Sequence, residues 1–305
     1  MSALNATSLA ANAESTAAPL KERNRSRLRS AFRAFCQDKA AVGGAIVLGL
    51  VILMTLLAPV LPLQDPADAD PTLRLKGIGT PGHILGLDYQ GRDMLSRIIW
   101  GGRYTLPAAV IPVIIAGIIA LCLGMTAGYA RNALDSFIMR IVDVLFAVPD
   151  VILAIAIAAA MGPGFFSVVV ATTLVIIAPL TRMAYSSTRQ QRDSEYIIAA
   201  RAIGASTPQI LWRHLLPNVF APVLVYATTI IGLLVVFTST LSFLGLGVAP
   251  PASEWGLMVD EGRKVMNVSP HAAWIPGLLI GVVALCFNLI GDGLRYALDP
   301  RQHRR

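Results

Sequence analysis

Between two long apolar runs, residues 195–218 read EYIIAARAIGASTPQILWRHLLPN, a basic and soluble-looking segment. Ala199, Ala200, Arg201 and Ala202 favour helix, and Gly204 breaks it. Ser206 and Thr207 can cap a second helix, with Pro208 in its first turn. That helix is predicted to run through Ile210, Leu211 and Trp212 and to end near Pro217. Small side chains on the first helix allow close approach by another surface. So ordered a segment points either to a contact element or to a connecting loop that happens to be helical.

The surrounding composition places it in a membrane. The chain has 305 residues, 55% hydrophobic and 14% charged, where a soluble domain carries about a quarter charged residues. Six apolar segments reach the roughly 20 residues a bilayer crossing needs. They lie near 41–63, 105–129, 139–161, 165–185, 218–243 and 273–293. Backbone groups in lipid must satisfy one another, so these are predicted helices, and no alternating pattern suggests a barrel. The expected fold is an all-α integral membrane bundle of six transmembrane helices. The helix pair at 195–217 stands between the fourth and fifth. Met161-Gly162-Pro163-Gly164 is a tight turn between the third and fourth.

A net charge of +7 could suggest nucleic acid, but the charges sit in tails and loops flanking the spans. With a cytoplasmic N-terminus, 18 of the 25 Lys and Arg residues fall inside, which favours both termini in the cytoplasm. That orientation puts 195–217 on the cytoplasmic side. Residues 1–25 read as a disordered tail. In 26–38, Leu28, Phe32 and Phe35 share one helical face among arginines, which suggests an interfacial helix, a solvated basic tail being the alternative. Residues 39–104 hold the first span and a long external loop, a partner contact or a spacer. Residues 105–293 form the permeation core, and 294–305 a cytoplasmic tail.

Several chemistries have no sequence support. None of the four lysines lies in a GxxxxGK[ST] phosphate loop. The four histidines and three cysteines show no metal-ligand spacing, so no metal site is expected. No Ser stands in a GxSxG turn. Three acids lie within spans. Asp143 and Asp292 fall near predicted cytoplasmic ends, within reach of water or of an arginine such as Arg140 or Arg295. Asp150, beside Pro149, falls about halfway along the third span. A carboxylate there should face a water-filled path or a partner, carry a proton, or mark a helix break or a shifted span. Pro107, Pro112, Pro149, Pro179, Pro222 and Pro276 can bend their helices.

With these pieces in order, the chain resembles the permease subunits of binding-protein-dependent ABC importers, and within them the C-type permease of the oligopeptide/dipeptide/nickel branch. The family's cytoplasmic loop has two alanines, a glycine four residues after the second, and a leucine-proline end. Here these are Ala199, Ala200, Gly204, Leu216 and Pro217. Ile198 takes the usual acidic position, Glu195 lies almost one turn earlier, and His214 replaces the usual isoleucine. Residues 86–106 (GLDYQGRDMLSRIIWGGRYTL), 241–256 (LSFLGLGVAPPASEWG) and 291–301 (GDGLRYALDPR) also match that branch. The resemblance covers roughly 25–305.

The resemblance implies a bacterial inner-membrane permease that is not itself an enzyme. It implies a homologous second permease, two ATP-binding subunits and an extracytoplasmic substrate-binding protein. No cofactor is expected in this chain, ATP and magnesium belonging to the partners, and the only other contact expected is membrane lipid. Glu195, Ala199, Ala200, Arg201, Gly204 and Pro217 are then the ATPase-coupling residues, and Asp150 a pathway candidate. Small alanines allow depth in a groove, Gly204 the turn, and Arg201 a charged edge. Peptides are the default cargo of the branch, with nickel, glutathione and opine-like compounds as alternatives. A secondary transporter driven by an ion gradient is the alternative from another class, although no internal repeat is visible.

Overall fold

A computed structural model describes residues 32–298, and these are almost entirely helical. The expected disordered tail (1–25), residues 26–31 of the expected interfacial helix and residues 299–305 of the expected C-terminal tail lie outside those residues. Within them, 32–37 are helical and Asp38 caps the first long helix, accepting from the Ala40 and Ala41 N–H groups. Among the described residues only two isolated β-bridges occur, both in the loop before the second span.

Five helices are long and apolar enough to cross a membrane. They are α1 (Lys39–Leu57), α2 (Met94–Tyr129), α5 (Phe165–Gln191), α7 (Thr207–Phe243) and α9 (His271–Leu298). The expected third span is instead two helices, α3 (Ala133–Ala147) and α4 (Asp150–Met161), bent by 89° at the break between them, a broken span or a re-entrant pair. The sequence pattern reads 139–161 as one continuous span, and the bend corrects that. Pro149 has no N–H to donate and holds Val148 in extended backbone (φ −88°, ψ 129°), so the helix stops and restarts. Among the shorter helices are α6 (Glu195–Ala202) and α8 (Trp255–Arg263), with a 3-10 turn at Pro71–Leu73 in the loop before α2.

The core is centred on α5, the most enclosed of the spans, with α2 packed along it and α7 along α9. Close approach depends on small residues. A Cβ added to Gly124 of α2 would meet the Ala184 Cβ of α5 at 2.6 Å. Lipid tails are as apolar as Leu, so such contacts rest on packing rather than on the hydrophobic effect.

Two boundaries differ from the apolar pattern. The second span starts at Met94, a full three turns before the apolar run, because Asp93 caps it and accepts from Ser96 N–H at 2.7 Å. The fifth does not start after Pro217. It is continuous with the second helix of the 195–217 pair, so that helix does not end at Pro217 as expected. Residues Ile210–Leu215 form a π-helical stretch, and Leu216 N–H reaches back to the Leu211 carbonyl. The wider turn accommodates the Pro217 ring and its missing donor. Asn218 Nδ2 then takes the His214 carbonyl at 2.9 Å.

At the end of the bundle away from α6, the loop before α2 is fastened by buried charge. Arg92 donates to Asp88 (2.6 Å) and Glu261 (2.7 Å), while Arg97 donates to Asp88 (2.5 Å) and lies 2.8 Å from Glu261. All four side chains are at most 4% exposed. Two cations and two anions cancel, which is the condition for burying them at all. Glu254 caps α8, accepting from Gly256 N–H (3.0 Å), Leu257 N–H (2.8 Å) and the Thr105 hydroxyl (2.9 Å). Burial pushes its carboxyl pKa up, against those hydrogen bonds, which favour the anion.

Candidate functional site

The helix pair at 195–217 is built on local signals. Ser194 stands at the N-cap position of α6, its hydroxyl donating back to the Gln191 carbonyl at 2.6 Å, with Glu195 in the first turn and Arg201 in the last, both favourable to the helix dipole. The C-terminus closes as a Schellman motif: Ala205 N–H bonds the Ala200 carbonyl and Gly204 N–H the Arg201 carbonyl, each at 3.0 Å. Gly204 has φ +82°, the left-handed region that glycine enters freely. A Cβ there would meet nothing within 4 Å, so the position opens outward. Gln209 Oε1 accepts from Ser206 N–H at 2.9 Å and starts α7.

The pair has an inner and an outer face. Ile197, Ala200, Ile210 and Leu215 are buried together, with Tyr129, Ala205 and Leu211 against them. On the outer face of α6, Glu195, Ile198, Ala199 and Ala202 are exposed, and beyond them Ile203 is 85% exposed. This divides the six residues picked from sequence. Glu195, Ala199, Gly204 and Pro217 are exposed; Ala200 and Arg201 turn inward. Of the residues expected to meet a partner, Ala200 thus lies on the inner face and Arg201 is half-buried against α2. Ala200 points at the bundle because it lies three residues after Ile197, one helical face. Arg201 donates from Nε to the Tyr129 hydroxyl at 3.0 Å and covers that ring at 4.9 Å. Ile198 and Ile203 join the outer face; large exposed apolar side chains on a polar segment are the signal that could have singled them out.

Polar contacts fasten the pair to three spans. Arg201 Nη2 reaches the Arg192 carbonyl at the end of α5, and Arg192 Nη1 reaches the Gly128 and Ala130 carbonyls at the end of α2. Tyr196 donates to Gln191 Oε1 at 2.6 Å and accepts from Asn218 of α7 at 3.4 Å. Arg131 pairs with Asp193 across the same end. Desolvation raises the Asp193 pKa, but Arg131 and Arg192 outweigh it and hold the carboxyl below its ordinary value. A push on α6 therefore reaches α2, α5 and α7 together. An open polar cleft of about 530 Å³ lies alongside, lined by Arg131, Asp135, Arg189, Arg192 and Asp193.

Asp150 is not brought near this pair. It is exposed and opens α4 at the break rather than lying halfway along a straight span. The first turn of a helix favours a carboxylate. Asp143 pairs with Arg182 of α5 at 2.7 Å rather than with Arg140, and Asp292 is exposed on α9.

A multi-span helical bundle with a rigid, outward-facing helix pair at one end has the architecture of an importer permease. The chain belongs to the family described as the binding-protein-dependent transport system inner membrane component, whose model matches residues 120–304. Residues 26–77 match the N-terminal transmembrane domain of oligopeptide transport permease C. The chain is 40% identical over 273 residues to a glutathione transport system permease protein, GsiD, of Pectobacterium atrosepticum, covering 90% of this chain and 91% of that one. It is 38% identical to a dipeptide transport system permease protein, DppC, of Alkalihalophilus pseudofirmus, covering 90% of each. A di/tripeptide permease of Pseudomonas aeruginosa is 36% identical over 90% of this chain and 93% of its own length. An inward-facing structure of the MetNI methionine ABC transporter matches 68% of this chain and 98% of its own with a TM-score of 0.57; at 20% identity it shows the fold. This chain is thus a multi-pass permease subunit of an ABC importer in the oligopeptide/dipeptide branch.

Proposed function

We propose that this permease pairs with a homologous second permease and imports short peptides, with glutathione in the same chemical range. Two ATP-binding subunits would drive it and an extracytoplasmic binding protein would deliver the cargo. ATP and magnesium stay with the partners, and this chain catalyses no reaction. The observation that carries the reading is the exposed face Glu195–Ile198–Ala199–Ala202, continued by Ile203 and Gly204 on a helix fastened to α2, α5 and α7. Such a face suits a groove on an ATPase subunit. Closure of the ATPases would then move the attached spans as rigid bodies between two states. The charge asymmetry supports both termini, and this face, on the cytoplasmic side. Relatives named for dipeptides and for glutathione support a cargo bearing a free amino group and free carboxylates.

Affinity purification of the tagged chain from native membranes tests the assembly: an ATP-binding subunit and a second permease should copurify. Uptake should need ATP and persist when the proton gradient is collapsed. Uptake that survives without ATP and fails without the gradient would replace this reading with a secondary transporter.

A further inference from the structure

Where the apolar run of α2 gives way to polar sequence, two cavities meet. The first is a narrow apolar slot of about 80 Å³, in which Leu121, Cys122 and Met125 of α2 stand opposite Leu211, Trp212 and Leu216 of α7. The second is an open cleft of about 450 Å³. Its charged lining is Arg131 and Arg201, with Tyr129, Asn132 and Thr207 beside them and no acid. Thr126 and Leu211 line both, so slot and cleft adjoin.

Their position matches the edge of a bilayer. Leu121 and Met125 lie eight and four positions before Tyr129, where α2 ends, about 12 and 6 Å along the axis. Ile114, Ile118 and Cys122 follow one another at spacings of four and are all exposed, an apolar stripe suited to lipid that runs up to the slot. Trp212, 61% exposed in the slot wall, is a residue type that collects at the membrane–water interface. The two arginines stand at the other end, beside and just past Tyr129. Arg131 gives Nη2 to Asp193, and Arg201 gives Nε to Tyr129 and Nη2 to the Arg192 carbonyl. Each guanidinium therefore keeps donors that the described residues do not take.

We propose that slot and cleft together hold an anionic phospholipid from the leaflet on the helix-pair side. Its phosphate lies on Arg131 and Arg201, and the start of one acyl chain enters the slot. Arginine suits phosphate because its planar fork donates two parallel hydrogen bonds. A free phosphate would use the cleft and leave the slot empty. A choline headgroup would bring its own cation against two arginines. A lipid seated here touches α2 at Leu121 and Met125, α7 at Leu211 and Leu216, and α6 at Arg201, so it joins the helix pair to two spans. The inference goes beyond the import reading and holds whatever the cargo.

The test uses the complete importer, purified from native membranes and reconstituted in phosphatidylcholine vesicles. These carry a trace of phosphatidylglycerol with a photoreactive diazirine near the ester end of one acyl chain. After illumination, label in this chain should concentrate on residues 118–125 and 211–216. It should exceed by about tenfold the label from the same probe built on phosphatidylcholine, the worth of one charge-assisted hydrogen bond. Arg131→Gln should remove most of that difference, and Cys122→Trp, which fills the slot from its exposed side, should remove the label itself. Asp193→Asn has the opposite sign: it releases Arg131 from its carboxylate partner and should raise the label, which a damaged site does not do. Excess glycerol phosphate in solution should leave the label in place; displacement by it would show a site for free anions and overturn the lipid. Equal labelling by the two probes, label spread evenly along the exposed spans, or no label at these residues because a protein partner covers them would overturn it as well. So would native labelling of Arg131→Gln, or a fall in Asp193→Asn.

Discussion

Gly204 separates the backbone of the helix pair from its surface. Its φ of +82° is left-handed, and any L residue placed there is strained by about 1–2 kcal/mol. A Cβ at the site touches nothing, so Gly204→Ala adds that strain and no clash. The pair is held by Ile197, Ile210 and Leu215, each at most 1% exposed, and burying side chains of that size is worth about 1.5–3 kcal/mol each. That exceeds the strain, so the pair should stay folded in Gly204→Ala, with coupling reduced only a few-fold. Gly204→Trp carries about the same backbone strain but projects an indole from the outward-facing position. Substrate-stimulated ATPase activity of the reconstituted importer should then fall at least tenfold below that of Gly204→Ala, with membrane insertion unchanged. If both variants couple normally, the face is not a docking surface. If both fail equally, Gly204 matters for its backbone and the surface argument is wrong.

Two further outcomes follow from the same geometry. Arg97→Met removes one cation from a buried group of four and leaves two carboxylates sharing Arg92, which should destabilise by about 3–5 kcal/mol; an unchanged melting temperature of the purified permease would count against the group as a fastening. Asp150→Leu should lower uptake if the exposed carboxylate at the α4 break borders the path; if Asp150→Asn and Asp150→Leu both transport at the native rate, the carboxylate serves only the helix end.

The parts legible in sequence are those governed by local chemistry. Apolar run length marks the spans, and Gly204 and Ser206 mark the turn between α6 and α7 because glycine enters left-handed backbone and serine caps helices. Pro149 signals an interruption, but its 89° size depends on how α3 and α4 pack, which no local pattern carries. The continuity of α7 through Pro217 is hidden for a similar reason: a π-helical stretch absorbs a residue that normally stops a helix. The charged group of Asp88, Arg92, Arg97 and Glu261 joins residues 169 positions apart, and in sequence these are ordinary loop charges. The inward turn of Ala200 is readable from the spacing to Ile197, whereas that of Arg201 needs Tyr129, on a span two crossings away.

The central claim is that the outer face of α6 sits against an ATP-binding subunit. The direct measurement is cysteine cross-linking in the assembled importer, with Cys36, Cys122 and Cys286 replaced so that the introduced thiol is the only one in this chain. Ala199→Cys and Ala202→Cys are exposed and should cross-link to the ATP-binding subunit, while Ala200→Cys, on the buried face, should not. Labelling of that subunit from position 200 but not from 199 or 202, or from none of the three, would contradict the account.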